Sequence, residues 1–432
     1  IALTGLLTVS RLPGQGSDSE FGSYVDNGLP FFGQTLDARG LGAGFPTDNL
    51  TPRGLILDLG NGYHACFDPD LLRLALVWRA GEEGASLRMN GMAPGSYRQP
   101  HRKAPAGQGK LPTPLGTPLL ANGLLAGVQL GDTPSFDDPR EPAPDPDEPG
   151  RGPLPADQGR WLGLRLEKAG PVLLYEMDGT RIEERLGVTR TSPDRAVLSR
   201  RLLVGPHEEA LSVISANGVT HLLPPAASDV HWTLRVTLDD RPEALPPLAS
   251  PRPTAAAPDR RWPETVRTPV PGQPASSAPF VVEEIPLPIP NPWRRNVRPS
   301  SLDFLPDGRL ALLTFDGDVW IAKDVRGSAR EISWRRFAGG LHEPMGLRVE
   351  DGTIVVFDRN GLVRLHDRDA NGEADHYENL SSIAAQTAET REFAMGFELK
   401  PGGGYYLAKG GQVAGTRGKL NGSVVELSAD GQ

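Results

Sequence analysis

Short apolar runs, broken by glycine, proline, asparagine and aspartate, set the rhythm of the chain from about Asn49 to Asp240. Gly54-Leu-Ile-Leu-Asp-Leu59, Leu74-Ala-Leu-Val-Trp78, Leu162-Gly-Leu-Arg-Leu166, Val172-Leu-Leu-Tyr175, Leu211-Ser-Val-Ile214 and His231-Trp-Thr-Leu-Arg-Val236 each have strand length and strand composition. Asp178-Gly179 and Asn217-Gly218 fall between such runs, where two residues at positive φ close a hairpin without splaying its strands. The pattern predicts an antiparallel, β-sandwich-like domain over residues 49–240, behind an amino-terminal extension at 1–48. Residues 132–158 carry eight prolines and eight acidic residues against two arginines, so this stretch is expected as a surface excursion. Residues 241–279 hold eleven prolines with few paired apolar positions and read as a semi-extended linker.

From Phe280 onward a strand-turn-strand unit recurs. Asp307-Gly308, Ala311-Leu-Leu-Thr314 and Asp316-Gly317-Asp318 are followed by Asp351-Gly352, Thr353-Ile-Val-Val-Phe357 and Asn360-Gly361. Gly402-Gly403, Tyr405-Tyr-Leu-Ala408 and Asn421-Gly422 form a third, longer unit. Asp307 to Asp351 and Gly317 to Gly361 are each 44 positions apart, the period of a β-propeller blade. About three such units fit into residues 280–432, fewer than the roughly four blades that close a ring. The fold expected is therefore all-β, ending in a partial propeller whose ring is completed by a longer protein or another chain.

Glycine and proline together, 51 and 43 residues, favour a turn-rich β-protein. The net charge of -9 is spread through acidic loops without a basic stripe, which argues against nucleic acid as a partner. The single cysteine, Cys66, excludes an internal disulfide and a cysteine cluster for zinc, and sits among apolar neighbours as a buried small hydrophobe. No segment reaches the roughly 20 apolar residues that span a bilayer. Residues 1–10 read equally as the end of a secretory apolar region or as an ordinary first strand.

The sharpest chemical pattern is Asp367-Arg-Asp369-Ala-Asn371-Gly372-Glu373-Ala-Asp375-His-Tyr-Glu378. Oxygen donors at positions 1, 3, 5, 9 and 12, the Glu373 carbonyl at 7 and a turn glycine at 6 match a calcium loop. The alternative is a solvated acidic hairpin. Calcium at such a loop suits the periplasm or the exterior, where the ion is plentiful.

Arg298-Pro-Ser-Ser-Leu-Asp-Phe-Leu-Pro-Asp-Gly-Arg-Leu310, Asp316-Gly-Asp-Val-Trp320, Leu341-His-Glu-Pro-Met-Gly-Leu347 and Val356-Phe-Asp-Arg-Asn-Gly361 together make the carboxyl half resemble the glucose/sorbosone dehydrogenase β-propellers. The amino half resembles an uncharacterised β-rich domain that precedes such propellers in large secreted bacterial proteins with haem-binding tails. This second likeness rests on Leu55-Ile-Leu-Asp-Leu59, Ala65-Cys-Phe-Asp68 with Asp70-Leu-Leu-Arg73, Phe136-Asp-Asp-Pro-Arg140 and Trp161. The resemblance implies oxidation of an aldose or sorbosone-type sugar, with pyrroloquinoline quinone as cofactor and electrons passed to a cytochrome domain outside this chain. His342 would then serve as base, with Arg359 and Lys409 as anchors for the quinone carboxylates.

Each of these residues also has a plainer reading. His342 suits a loop histidine bonded to backbone, and Arg359 and Lys409 suit solvated strand ends. Arg294 and Arg295 beside Trp293 suit either cation-π stacking on a ring or sugar or an exposed linker exit. Asp68 and Asp70 describe a turn and a cap more readily than a glycosidase pair, and Trp78, Trp161 and Trp232 suit the core. The alternative function is a non-catalytic, calcium-stabilised module that binds carbohydrate or serves assembly.

Overall fold

In the computed structural model the apolar runs fold as strands, and every regular element among the described residues is a strand. The structure describes residues 21–431 apart from 23, 27, 82–84, 89–110, 142–150, 193–194, 217, 239–241, 250–255, 272–282, 326–328, 385–387, 389–392, 411–419 and 421. The expectations for residues 1–10, for Asn217 and Asn421, and for parts of the acidic excursion and the Pro-rich stretch lie outside the described residues. No helix among the described residues is long and apolar enough to cross a membrane.

The chain opens with β1 (Phe31–Asp37), β2 (Leu50–Asp58), β3 (Tyr63–Asp68) and β4 (Arg73–Ala80), an antiparallel meander. Two short strands, β5 (Leu87–Arg88) and β6 (Thr113–Pro114), pair beside it, and β7 (Gly116–Ala121) returns to the edge of β4. Next come β8 (Val128–Leu130), β9 (Gly159–Glu167), β10 (Gly170–Met177), β11 (Thr180–Ser192), β12 (Arg195–Val204), β13 (Leu211–Ala216), β14 (Val219–Leu223), β15 (Val230–Thr237) and β16 (Ala244–Ala249). The β10–β11 hairpin turns at Asp178 and Gly179, both at positive φ, as the sequence predicts. Strands β8, β13 and β14 form a small sheet of their own, while β9 to β12, β15 and β16 line up side by side.

Beyond β17 (Val266–Pro269) the chain makes two four-stranded meanders. The first is β18 (Pro299–Phe304), β19 (Leu310–Thr314), β20 (Val319–Lys323) and β21 (Glu331–Ala338). The second is β22 (Gly346–Glu350), β23 (Thr353–Asp358), β24 (Gly361–His366) and β25 (His376–Ser381). A third sheet follows with β26 (Phe393–Leu399), β27 (Tyr405–Gly410) and β28 (Ser423–Leu427). The sequence repeat returns in the backbone bonding. Phe315 N–H donates to Arg298 O and Arg359 N–H to His342 O, the same bond 44 residues later.

The boundary expected between two domains is not a structural one. β25 pairs with β9, Tyr377 opposite Leu164, so the second meander and the amino-half strands form a single ten-stranded sheet. One hydrophobic cluster contains Phe67 and Val77, Leu173 and Leu202, and also Leu313, Val356 and Tyr377. The Pro-rich stretch expected as a linker supplies β16 to the edge of β15 and β17 to the edge of β21. Proline is tolerated there because an edge strand has one row of N–H groups with no ladder to serve. Arg200, buried in β12, is satisfied by a charge pair with Glu184 (Nε to Oε1 2.6 Å), which also accepts from Tyr175 Oη at 2.7 Å. Removing one member of such a pair leaves a buried charge uncompensated.

The seam between β9 and β25 needs a glycine. Gly163 sits at φ +130°, and a Cβ there would lie 2.1 Å from Tyr377 O. Gly163→Ala is therefore expected to lower unfolding free energy by about 2–4 kcal/mol. Gly187→Ala, in open space on β11, should change it by no more than about 1 kcal/mol. Urea denaturation of the two variants checks the contrast, and equal midpoints would refute it.

Candidate functional site

The residues expected to carry sugar oxidation are packed into the framework. His342 lies just before β22 and is 1% exposed. Its N–H donates to Asp358 Oδ2 at 3.0 Å, and ring Nδ1 lies 3.1 Å from Asn360 Oδ1. Gly33 of β1 closes over it, since a Cβ at that position would stand 2.8 Å from His342 Cβ. Burial, then the positive charges of Arg359 and Arg53, push the imidazole pKa down to about 3. A base that weak is poorly matched to proton abstraction near neutrality.

Arg359 is buried and pairs with Glu343 Oε2 at 3.5 Å, and Lys409 is buried within β27. This corrects their reading as solvated or funnel-facing anchors. Neither of the two described cavities is lined by His342, Arg359 or Lys409. They do not fit a quinone tricarboxylate, which needs cations that open onto a pocket. Arg359 belongs to a series of buried ion pairs: Arg73 with Asp68, Arg53 with Asp70, Arg359 with Glu343, and Arg295 and Arg336 with Asp318.

The calcium-type loop is shaped by its own backbone. Asp367 accepts from the N–H groups of Asn371 and Gly372 at 3.0 and 2.8 Å, and Asp369 Oδ1 accepts from Asn371 N–H at 3.1 Å. Asn371 Oδ1 accepts from Glu373 N–H at 2.8 Å, and Asp375 Oδ1 from Arg368 N–H at 3.1 Å. The Glu373 carboxylate turns inward to the N–H groups of Arg261 and Trp262, at 2.8 and 2.7 Å. Glu378, expected to close the cage, stands in β25 with its carboxylate 2.7 Å from His366 Nε2 and 3.4 Å from Arg364. Glu378 is thus drawn away from the loop, while Asp367, Asp369 and Asp375 stay together: burial, then the neighbouring carboxylates, raise the carboxyl pKa of Asp367 and Asp375. Among the described residues no group of three or more His, Cys, Asp and Glu is placed to hold a metal ion.

The remaining candidates are structural. Asp68 accepts from Asp70 N–H at 3.0 Å and pairs with Arg73, which makes it a turn residue. Asp70 pairs with Arg53 and caps no helix. Trp78 is fully buried with Nε1 donating to Ser86 O, and half-buried Trp161 and Trp232 pack on the main cluster. Burial holds the Cys66 thiol far above its ordinary pKa, away from nucleophilic use. Arg295 is buried against Asp318, Arg294 is an exposed turn residue at φ +52°, and Trp293 lies on Trp320.

A cleft of about 650 Å³ opens elsewhere, between the face of the β18–β21 meander and the loops of the next. Alternation in the strands builds it. Arg335 sits opposite Ile321, while Ser333 faces Lys323 on one side and Arg267 on the other, so one face of the sheet carries all of them. Ile332, Trp334 and Arg336 turn to the other face and are buried. Leu305, Ile321, Phe337, Ile354 and Leu365 supply apolar lining, and Arg309, Arg368, Asp367 and Gly372 the rim. Arg335 lies over the acidic loop, its guanidinium nitrogen 3.4 Å from where a Gly372 Cβ would be. The only sequence trace of this cleft is the alternation in Ser333, Arg335 and Phe337, which carries no motif by itself.

With this geometry in place, the comparisons bear on the other half of the chain. Residues 65–184 match the model of a family described as a domain of unknown function, DUF6797. The matched domain runs from Ala65 in β3 to Glu184 in β11 and includes the Asp68, Asp70 and Arg73 turn. It lies in the half where the resemblance places an uncharacterised domain, and it stops short of the cleft. No curated protein matches the chain.

His342 makes stability depend on pH in a definite direction. Its neutral form persists in the folded chain down to about pH 3, whereas the unfolded imidazole takes up a proton near 6.5. The unfolded state therefore binds more protons between these values, and stability falls as pH drops through that window. Asp358 acts oppositely, because burial raises its carboxyl pKa to about 6 and the folded state is protonated first. Relative to wild type, His342→Gln should gain melting temperature as pH is lowered from about 6.5 towards about 4. A difference that stays constant with pH would refute this placement of the proton.

Proposed function

We propose that the chain is a non-catalytic binding module on a propeller-like scaffold, and that the cleft beside β20 and β21 is where it holds a saccharide. Two consecutive four-stranded meanders repeating at 44 residues support the propeller-like reading. The observation that carries the binding reading is the cleft itself. At about 650 Å³, with apolar side chains set among a larger number of polar and charged ones, it has the size of a small-ligand site and the mixed lining that a polyhydroxylated ligand suits. A dehydrogenase would need an open pocket at His342, where the structure packs Asn360, Asp358 and Gly33. Half-buried Phe337 offers ring surface for the apolar face of a pyranose, while Ser333 and Thr353 offer hydroxyls for its polar edge.

Thr353 is on the cleft wall at the start of β23, half-buried, so an indole there would fill the space without entering the core. A glycan array followed by calorimetry on the whole chain should find at least one bound oligosaccharide, and Thr353→Trp should abolish that binding with an unchanged melting temperature. No bound glycan, or binding that survives Thr353→Trp, would overturn the proposal.

A further inference from the structure

The charge of the cleft narrows its ligand. The chain carries a net charge of -9, yet the cleft is lined by Arg267, Arg309, Lys323, Arg335 and Arg368 against one carboxylate, Asp367. Arg267 and Arg309 spend their charge locally on Glu331 and Asp307. Lys323, Arg335 and Arg368 form no close ion pair among the described residues, Lys323 acting on Asp307 only at longer range, and Arg335 Nε is buried without a hydrogen-bond partner. Three cations lining one concave surface, one with a desolvated donor left unsatisfied, form an arrangement that an anion would complete.

The cations are spread over the sheet lattice and do not converge on one point. Lys323 and Arg267 flank Ser333 in neighbouring strands, roughly 5 Å away on each side, and Arg335 stands two residues further along the strand, roughly 7 Å on. Arg368 faces them from the opposite rim. A single phosphate would engage only part of this set. A chain of sugar rings with an acidic group on successive rings would meet it in turn while laying its rings on the apolar residues. Phe337 is the one Phe, Tyr or Trp of the lining and the His366 ring is already stacked on His376, which leaves no series of stacking platforms for nucleobases.

We propose that the cleft binds an anionic oligosaccharide, its carboxylate or sulfate groups held by Arg335, Lys323 and Arg368. This rests on the reading of the cleft as a saccharide site, and the test separates the two. Calorimetry on the whole chain would compare a galacturonic acid trimer, a sulfated oligosaccharide of similar length and a neutral oligosaccharide of the same ring number, at low and at physiological salt. The anionic ligands should bind and the neutral one should not, with affinity falling roughly tenfold as salt is raised. Lys323→Gln, at an exposed position that leaves folding untouched, and Arg335→Gln should each weaken binding roughly tenfold. The carboxylated and sulfated arms show which acid is preferred, and binding of either supports the proposal. Neutral glycans binding as well as acidic ones, or acidic binding indifferent to both substitutions, would overturn the anionic ligand while leaving the saccharide site standing. Silence from all three would remove both.

Discussion

Three residue pairs between β9 and β25 hold the amino and carboxyl parts of this chain in one sheet: Arg165 with His376, Leu164 with Tyr377, and Gly163 with Glu378. The seam is short, but its surroundings reinforce it. Leu166 N–H donates to Asp375 O, and Asn379 Nδ2 reaches Trp161 O at 3.0 Å. Once β25 is committed to this ladder, Glu378 is a strand residue whose side chain meets His366 and Arg364 across the sheet. It cannot also fold back over Asp367. The same commitment fixes where the acidic loop ends, and so holds Arg368 and Gly372 at the mouth of the basic cleft.

Charged residues divide here by what surrounds them. Those near the turns that follow β19 and β23 are buried, paired and bonded to backbone, and each would leave a costly orphan if its partner were lost. They explain why His342 and Arg359, which look chemically promising in isolation, serve as joints between meanders. The cleft cations are the converse. Arg267, Lys323 and Arg335 stand on the face of a sheet whose other side is sealed by Trp320 and Trp334, so their positions are fixed by buried neighbours.

Much of the architecture was legible in the sequence because strand length, alternation and turn residues are local signals. Asp178-Gly179 closes its hairpin as expected, and the 44-residue offset reappears as equivalent backbone bonds. The join between the halves was not legible, because pairing between Leu164 and Tyr377 leaves no mark on either segment alone. Proline misled in the same way: Ala244–Ala249 and Val266–Pro269 look like linker, yet an edge position accepts them as strands. For the site, motif matching favoured Asp367 to Glu378, yet Glu373 turns to the N–H groups of Arg261 and Trp262 and Glu378 is held in its strand by His366 and Arg364. Arg267, Lys323 and Arg335 come from three strands and meet only after folding.

The seam also bears on the order in which the protein is made. β9 emerges from the ribosome with β10 close behind to cover one edge, but its other edge waits for β25, roughly two hundred residues later. Through that interval the nascent chain displays an open ladder of N–H and C=O groups, the kind of template that recruits stray strands. The bare backbone of Gly163 at that edge, required for the final close approach, removes a side chain that would have guarded it. Cellular factors that shield unfinished sheets would therefore matter most for this protein during its own translation.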